Sequence, residues 1–255
     1  MALLTHWDGE PVQVWQDVWR APLVEAHDVL GSTNDRAREL AVQGAAPFSV
    51  VLAEAQSAGR GRSGAVWHSA PGEGLWVSVL LPADEGPPPH LALLVGVAAA
   101  RAAERACTGL EVGIKWPNDL EVEGRKVGGI LCEHGHGSVV AGIGLNVRHR
   151  PGAFPEEIAW RATSLEAAHR VRVSMGALAT ALMHELRATC AAPGPHLAPG
   201  VHGELARRDV LRDGRVVTQQ AGQGVARGVE PDGALLLEQP DGSRVRVVAG
   251  SVRKL

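Results

Sequence analysis

Two short segments of this chain combine positive charge with glycine in a way suited to binding an anion. The first, KWPNDLEVEGRKVGGIL, runs from Lys115 to Leu131, and the second, GRGRSG, runs from Gly59 to Gly64. Lys115 and Lys126 stand in short apolar segments of extended pattern, where an isolated charge is costly. We therefore expect an anionic group to face these lysines.

The glycine–arginine segment is typical of a loop that holds a phosphate or a carboxylate. Glycine allows the backbone to approach an anion closely, and successive N–H groups can form an anion-binding concavity. Arg60 and Arg62 add charged donors that can bind in a bidentate manner. A solvated surface turn is the alternative interpretation of this segment.

The same segment matches the spacing GxGxxG, but that dinucleotide-binding pattern requires a helix directly after its last glycine. Here AVWHSAPGEG follows, and Pro71 and Gly72 disfavour a helix. The phosphate-binding pattern GxxxxGK[ST] is also absent, because Ala65 stands where lysine is required. Neither nucleotide-binding pattern therefore applies to this loop.

Polar residues follow the strand that is predicted to contain Lys115. Pro117 ends this strand because proline has no N–H for the ladder, so Asn118 and Asp119 come at the strand end. The Asp119 carboxylate is suited to Mg²⁺, directly or through water. An Asx turn is the alternative explanation for this Asn-Asp pair.

Four other residues near these segments are candidate ligand contacts. Gly128 and Gly129 predict either a β-bulge or a close backbone approach to a ligand, and the neighbouring lysine favours the ligand. Trp67 is suited to stacking on a planar ring or to core packing. Gln56 follows a predicted strand, where its amide would either contact a polar ligand or cap the loop.

Hydrophobic periodicity predicts both helices and strands in the first two hundred residues. Alternation with period 2 is typical of strands, and a period of 3.6 is typical of helices. The predicted strands are 48–54, 75–81, 112–116, 127–131 and 138–147, and the predicted helices are 34–42, 90–107 and 174–190. Residues 1–24 are rich in tryptophan but only weakly patterned.

The character of the chain changes after residues 191–200, AAPGPHLAPG, which have the composition of a linker. Four short β patterns follow, and Asp-Gly pairs typical of tight turns divide them. These features predict a small all-β barrel. We therefore expect a mixed α/β main domain over residues 1–200 and a small β domain over residues 201–255.

Composition argues against several classes of protein. With 25 basic and 28 acidic residues the net charge is −3, so bulk electrostatics does not predict nucleic-acid binding. The N-terminal sequence lacks the features of a signal peptide, and the longest apolar run, Leu91 to Ala103, is too short to span a bilayer. Three widely spaced cysteines argue against a disulfide framework or a zinc ribbon. We expect a cytoplasmic protein without a membrane segment.

Taken in order, five motifs resemble those of the biotin–protein ligases. They are GSTN (31–34), EAQSAGRGRSGAVW (54–67), KWPNDL (115–120), KVGGIL (126–131) and GIGLNV (142–147). The resemblance covers residues 25–190 and extends to ARGVEPDGALLLE near the C-terminus. It implies an α+β fold, in which a mixed β-sheet catalytic domain flanked by helices precedes a small C-terminal SH3-like β-barrel.

The resemblance implies a reaction in two steps. Biotin would react with ATP, in the presence of Mg²⁺, to give biotinoyl-AMP and pyrophosphate. A lysine of an acceptor, the biotin carboxyl carrier domain of acetyl-CoA carboxylase or a similar protein, would then take the biotinoyl group. The family resemblance is compatible with a monomer or a homodimer.

Roles for individual residues also follow from the resemblance. Lys126, Arg60 and Arg62 would be catalytic, because they would neutralise the junction between carboxylate and phosphate. The residues implied for biotin are Ser32, Thr33, Asn34, Gln56, Arg60, Gly61, Arg62, Lys126, Gly128 and Gly129. Those implied for ATP are Trp67, Lys115, Asn118, Asn146 and Arg253, and Asp119 is implied for Mg²⁺.

Some relatives carry an N-terminal winged helix-turn-helix, whereas only 31 residues precede Ser32 here, without that pattern and without excess basic charge. We therefore expect a ligase-only form that binds no nucleic acid. Two alternatives stay open. One is a lipoate or octanoate ligase or transferase of the same fold, and the other is a non-catalytic biotin-sensing module.

Overall fold

A seven-stranded mixed β-sheet organises the first part of the computed structural model, which describes residues 2–82, 87–135, 137–150 and 152–255. In chain order the elements of this part are β1 (His6–Trp7), β2 (Glu10–Pro11), α1 (Val12–Trp19), β3 (Val24–Leu30), α2 (Thr33–Val42), β4 (Val50–Gln56), β5 (Gly74–Leu81), α3 (Leu91–Ala106), β6 (Gly113–Lys115), β7 (Asp119–Val122), β8 (Arg125–Gly135), β9 (Ser138–Asn146), α4 (Glu156–Ala159), α5 (Leu165–His169) and α6 (Met175–Cys190). The strand order is β3-β4-β5-β9-β8-β7-β6, with β3 and β4 parallel and every other neighbouring pair antiparallel.

The two faces of this sheet have different neighbours. Helices α3 and α6 pack against each other and contact one face, whereas α2 contacts β4, β5 and β9. Leu52, Leu75, Ile130 and Ile143 are among the apolar side chains that are almost fully buried in the main core. Burial of each such side chain contributes about 1.5–3 kcal/mol, so this core fixes the sheet on which polar residues are displayed.

The central strands follow directly from the sequence. Strand β5, GLWVSVLL, is buried along its whole length, as expected for a strand that is covered on both faces. The hairpin between β7 and β8 turns at Glu123 and Gly124, which both have positive φ angles. That conformation is typical of a tight turn between antiparallel strands, and it returns the chain at Lys126.

The N-terminal residues are ordered by a tryptophan cluster that weak sequence patterning did not predict. The Trp7 ring lies edge-on to Trp15, with 5.6 Å between the ring centroids, and Trp15 stacks on Trp19 at 5.4 Å. A Cβ atom at Gly176 would lie 2.3 Å from the Trp15 ring. Glycine at the start of α6 is therefore required for this packing.

The second part of the chain is a five-stranded antiparallel sheet. It follows α7 (Pro199–Arg208) and contains β10 (Arg215–Thr218), β11 (Gly222–Val229), β12 (Leu235–Glu238), β13 (Arg244–Val247) and β14 (Val252–Lys254), in the order β13-β12-β11-β10-β14. The predicted fold class, a mixed sheet with helices followed by a small SH3-like β-barrel, is confirmed.

Helix α7 is a difference from the sequence prediction. Residues 199 and 200 were expected to belong to a linker, yet they begin this helix, and the expected division after residue 200 falls inside it. Leu205 is buried, and Arg208 pairs with Glu104 of α3. Because tertiary contacts hold the helix, its Gly and Pro content misled the local prediction. No helix in the described ranges is long and apolar enough to cross a bilayer.

Candidate functional site

One row of paired residues crosses five strands on the sheet face that contacts α2. Trp76 of β5 pairs with Gly144 of β9, which pairs with Gly129 of β8. Gly129 then pairs with Asp119 of β7, and Asp119 with Lys115 of β6. Directly paired residues share a face of the sheet. The motifs KWPNDL, KVGGIL and GIGLNV therefore meet on one surface, and two glycines leave its centre open.

Trp67, from the loop that follows β4, fills the space above these glycines. A Cβ atom would lie 3.0 Å from the Trp67 ring if placed on Gly129, and 2.6 Å from it if placed on Gly144. The Trp67 Nε1 atom is buried and has no hydrogen-bond partner among the described residues. The Trp67 ring is half-buried, and it can lie this close to the sheet only because both strands carry glycine here.

Lys126 lies beside the same indole and is paired with a carboxylate. Its Nζ atom is 2.5 Å from Asp119 Oδ1 and 5.2 Å from the centroid of the Trp67 ring. Backbone bonds hold its position, because Lys126 N donates to the carbonyl of Arg161 and Lys126 O accepts from Thr163 N. The expected anion facing Lys126 is thus, in the structure, the side chain of Asp119.

A buried polar chain lies at the other end of the same sheet face. Gln56 Oε1 accepts from Thr33 N at 2.8 Å, and Gln56 Nε2 donates to Ser69 Oγ at 2.8 Å. Asn34 Nδ2 donates to Glu133 Oε2 at 2.7 Å. Thr33 and Asn34 begin α2 and are almost fully buried, so the helix start presents polar groups to the sheet.

Asn34 has its place because of a third glycine. A Cβ atom at Gly142 would lie 2.2 Å from Asn34 Oδ1. Ser32, which precedes α2, is also buried, and its side chain makes no capping hydrogen bond to the helix. The GSTN motif therefore packs onto the sheet face.

The glycine–arginine loop is folded back on itself and tied to α2. Gly61 N donates to the carbonyl of Ala65 at 2.7 Å, and Trp67 N donates to the carbonyl of Gly59 at 2.9 Å. Arg60 binds both oxygens of Asp35, at 2.6 and 2.7 Å. These hydrogen bonds, with those from Arg38, lower the pKa of the Asp35 carboxyl, although burial opposes the shift.

A groove of about 540 Å³ runs along this loop. The residues that line it include Gln56, Arg60, Trp67, Ser69 and Phe154. Its volume is in the range of pockets for small organic ligands. The polar chain and the indole are therefore reached from one opening.

Other expected site residues are directed elsewhere. Arg62 donates to the carbonyl of Gly250, in the connection before β14, at 3.2 Å. Lys115 Nζ lies 3.9 Å from Glu121, which also pairs with Lys254 at 2.8 Å. These contacts join the sheet to the C-terminal part of the chain.

Arg253 is exposed on β14, where it pairs with Val217 across the strands. No contact in the described part of the chain brings it to Lys126. The expected contact of Arg253 with the nucleotide therefore stays a prediction. The C-terminal segment does approach the glycine–arginine loop, because Arg62 donates to the Gly250 carbonyl.

Two amide side chains that were expected to bind ATP donate to backbone carbonyls in the structure. One of the two glycines that were expected to contact biotin faces the core. Asn118 Nδ2 donates to the carbonyl of Ile130 at 2.8 Å, and Asn146 Nδ2 donates to that of Thr163 at 3.0 Å. A Cβ atom at Gly128 would meet Leu145 at 2.7 Å. Only Gly129 of the glycine pair therefore lies on the site face, and the register with β7 shifts just before this pair, between Lys126 and Gly128.

The site offers few ligands for a metal ion. No group of three or more His, Cys, Asp or Glu side chains in the described ranges is arranged to hold one. Mg²⁺ in nucleotide sites uses one or two carboxylates and completes its coordination with phosphate oxygens and water. Asp119 fits that limited role, provided that Lys126 releases it.

Comparison with known proteins then connects this geometry to a family. A model of the biotin/lipoate A/B protein ligase family matches residues 27–149, and one of the biotin protein ligase C terminal domain matches residues 213–255. The biotin--[acetyl-CoA-carboxylase] ligase of Mycobacterium tuberculosis is 34% identical over 87% of this chain and 85% of its own length. The chain belongs to the biotin protein ligase family.

Two further members of the biotin protein ligase family show how much of this chain resembles them. The bifunctional ligase/repressor BirA of Bacillus subtilis is 44% identical over 56% of this chain, but the match covers only 46% of that relative, about half its length. The structure of the Aquifex aeolicus biotin protein ligase in complex with biotin and ATP superposes with a TM-score of 0.76 and 24% identity, covering 91% of this chain and 99% of that chain. That structure supports the ligase fold.

Several residues that contact the expected site residues, or lie beside them on the sheet, were missed by sequence reasoning. They are Asp35, Arg38, Ser69, Ser78, Glu133, Gly142 and Gly144. Gly142 and Gly144 alternate along one strand, and that spacing alone places both on one face. The partners Asp35 and Glu133 are distant in sequence from the residues that they bind, so no local pattern indicates them.

Proposed function

We propose that the protein is an ATP-dependent biotin–protein ligase. A carboxylate oxygen of biotin attacks the α-phosphorus of ATP, which gives biotinoyl-AMP and releases pyrophosphate. A lysine amine of a biotin carboxyl carrier domain, from acetyl-CoA carboxylase or a similar protein, then attacks the acyl carbon. An amide forms, AMP leaves, and the amine loses its proton.

The position of Lys126 carries this proposal. Its ammonium lies between the Asp119 carboxylate and the Trp67 indole, and adenine would stack on that indole. The first step brings a carboxylate onto a triphosphate, so fixed positive charge lowers the barrier. One charge about 4 Å away is worth roughly 4 kcal/mol at an effective dielectric constant near 20, which corresponds to about a thousandfold in rate.

The glycine–arginine loop and the polar chain supply the biotin contacts in this proposal. Thr33, Asn34 and Gln56 would bind the ureido ring, with Ser32 beside them. Arg60, Gly61 and Arg62 would cover the biotin carboxylate and exclude water from the adenylate. Arg62 would exchange its bond to the Gly250 carbonyl for a bond to the ligand.

The nucleotide contacts are proposed on the same basis. Lys115, Asn118, Asn146 and Arg253 would surround the adenosine and phosphates outside the contact with Trp67. Mg²⁺ would supply charge neutralisation of the triphosphate and would be held through Asp119. Because Asp119 is paired with Lys126, binding of the metal would leave the lysine ammonium free for the ligand.

We also propose a division into a catalytic domain that ends with α7 and a β domain that begins after Arg208. Helix α7 contacts α3 and β6 of the first part and also β11 of the second. Its ion pair between Arg208 and Glu104 of α3 supports its assignment to the first domain instead of the division after residue 200. A cytoplasmic location is part of the proposal, because the reaction needs ATP and a carrier domain.

The test is biotin-dependent exchange of labelled pyrophosphate into ATP by the purified full chain, compared with lipoate and octanoate. We expect exchange with biotin only, followed by transfer of labelled biotin to a carrier domain. Exchange with lipoate or octanoate alone would favour the lipoate-type alternative. Binding of biotin without any exchange would favour a non-catalytic sensing module.

A further inference from the structure

The hydrogen-bonded side chains Asn34, Ser78, Thr33 and Gln56 have fewer hydroxyl protons than they have oxygen–oxygen contacts. Ser78 Oγ lies 2.6 Å from Asn34 Oδ1 and 2.8 Å from Thr33 Oγ1, and Thr33 Oγ1 lies 3.2 Å from Gln56 Oε1. Each of these three oxygen–oxygen contacts needs a proton between its atoms. Ser78 and Thr33 each supply one hydroxyl proton, and the amide oxygens supply none. One contact therefore has no proton.

The orientation of the two amides is fixed by groups that cannot change roles. Gln56 Oε1 faces the backbone N–H of Thr33, which can only donate. Asn34 Nδ2 faces the Glu133 carboxylate, which Arg38 holds at 2.9 Å, and it also donates to the Leu131 carbonyl at 3.3 Å. A carboxylate paired with arginine accepts only. Both amides therefore direct an oxygen toward the hydroxyls and add no donor between them.

Distances then assign the two protons. The shortest contact, Ser78 to Asn34, takes the Ser78 proton, and the next, Thr33 to Ser78, takes the Thr33 proton. Ser78 is fully buried, so no water donates to the chain at this end, and a further donor can reach it only from the groove beside Gln56. The longest contact, between Thr33 Oγ1 and Gln56 Oε1, is left as two acceptor oxygens side by side.

We infer that Ser78, Asn34 and Glu133 form a hydrogen-bond relay that directs the hydroxyl protons of Ser78 and Thr33 away from Gln56. The relay leaves Thr33 Oγ1 and Gln56 Oε1 as acceptors. The site therefore selects a ligand whose head group carries a ring N–H. A ligand N–H that donates to these two oxygens completes the chain. A dithiolane or alkyl head has no such donor. Gln56 lines the groove, so a ligand reaches this end of the chain. The inference rests on the proposed function and names its specificity-determining residues.

The test compares biotin with its two cyclic carbamate analogues, in which a ring oxygen replaces one ureido N–H. Binding to the full chain is measured by calorimetry without ATP. We expect one analogue to bind the wild type about 10- to 100-fold more weakly than biotin, because an acceptor would face buried acceptors. In Ser78→Ala the Thr33 hydroxyl proton is free to point toward the ligand. Biotin should then bind more weakly, so the ratio of its affinity to that of the analogue should fall to about threefold or less.

Glu133→Gln is the second variant, because its amide can donate to a turned Asn34 amide, although the Leu131 carbonyl, 3.3 Å from Asn34 Nδ2, opposes that turn. It should therefore reduce the same ratio, but by less than Ser78→Ala does. Ser49→Ala is the matched control, since Ser49 is also buried and its hydroxyl has no partner among the described residues. Its ratio should equal that of the wild type. The KM for ATP should stay unchanged in all three variants.

Two results would overturn the relay. One is an unchanged ratio in Ser78→Ala, and the other is an equal loss of biotin and both analogues, as a merely structural role would give. Failure of the proposed function looks different, because the wild type would then lack biotin-dependent pyrophosphate exchange. A wild type that exchanges pyrophosphate but does not discriminate between biotin and either analogue would refute the relay alone.

Discussion

Lys126 and Asp119 form an ion pair across neighbouring strands, with 2.5 Å between Nζ and Oδ1. The carboxylate holds the ammonium next to the Trp67 indole, where the proposed nucleotide would stack. The pair is partly exposed, so its contribution to stability is about 0–1 kcal/mol. A nucleotide with its metal can therefore separate the two side chains at little cost in folding free energy.

Lys126→Ala should lower the rate of biotin-dependent pyrophosphate exchange about 10²- to 10³-fold, the size expected for one lost electrostatic group. The melting temperature should change little, because the pair is partly exposed. Arg125→Ala is the matched control, since Arg125 is the exposed neighbour of Lys126 on the same strand. A near-normal exchange rate in Lys126→Ala would remove this lysine from the chemistry.

Asp35→Asn should loosen the glycine–arginine loop in the absence of ligand. The bidentate bond from Arg60 is lost, and a partly exposed ion pair contributes about 0.2–1 kcal/mol, so tryptic cleavage after Arg60 and Arg62 should become about two- to fivefold faster. Biotin with ATP should protect the loop in both proteins. Limited proteolysis followed by mass spectrometry measures the cleavage rate.

Glu39→Gln is the control for this experiment, because Glu39 pairs with Arg36 on the same helix. It should be cleaved like the wild type. If Asp35→Asn and the wild type are cut at the same rate, the ion pair does not restrain the loop.

Sequence patterning predicted the central strands and the two long helices because their hydrophobic periods are clear. Strand β3, at the edge of the sheet, was missed, since Glu25 and Asp28 interrupt its apolar pattern. Arg36 and His27 bind Glu25 in the structure, so a tertiary ion pair stabilises a segment that looks polar. Residues 199–208 were missed for a similar reason, because contacts with α3 outweigh two glycines and a proline.

The sequence motifs indicated several residues that meet on this sheet face, but they did not indicate the partners of these residues. Lys126 and Asp119 are close in the chain, and the hairpin explains their meeting. Ser78 and Asn34 are 44 positions apart, and only the order of strands brings them together. Sequence spacing therefore predicts which residues carry charge, whereas the sheet decides which groups orient them.

Gly144→Ala should weaken ATP binding by displacing Trp67. The added Cβ would lie 2.6 Å from the indole, and overpacking of this kind costs about 1–3 kcal/mol. We expect the KM for ATP to rise about tenfold, within the range of that cost, while biotin affinity measured without ATP changes less. Steady-state exchange kinetics and calorimetry provide the two values.

Gly135→Ala is the matched control for this variant, because it lies in the neighbouring strand β8 and its added Cβ would have no heavy atom within 4 Å. It should bind ATP like the wild type. An unchanged KM for ATP in Gly144→Ala would mean that the indole is not the adenine platform.

His90 should make the contact between the two sheets sensitive to acid. It is fully buried just before α3, where a Cβ atom at Gly233 would lie 2.6 Å from its own Cβ. Burial lowers the pKa of His90 below its usual value of 6.5. The unfolded chain therefore takes up a proton below about pH 6.5 that the folded chain resists. The free energy of unfolding should fall as the pH decreases from there, by at most about 1.4 kcal/mol per pH unit.

His90→Leu removes this titration while leaving an apolar side chain of similar size in the contact. Urea unfolding of the full chain at pH 7.5 and 5.5 should show less loss of stability in the variant than in the wild type, by at most about 1.4 kcal/mol. His6→Leu is the control, because His6 is exposed, and it should keep the wild-type dependence on pH. Since the effect requires a buried neutral imidazole, an identical pH dependence in His90→Leu and the wild type would show that the folded protein accepts the proton at no cost.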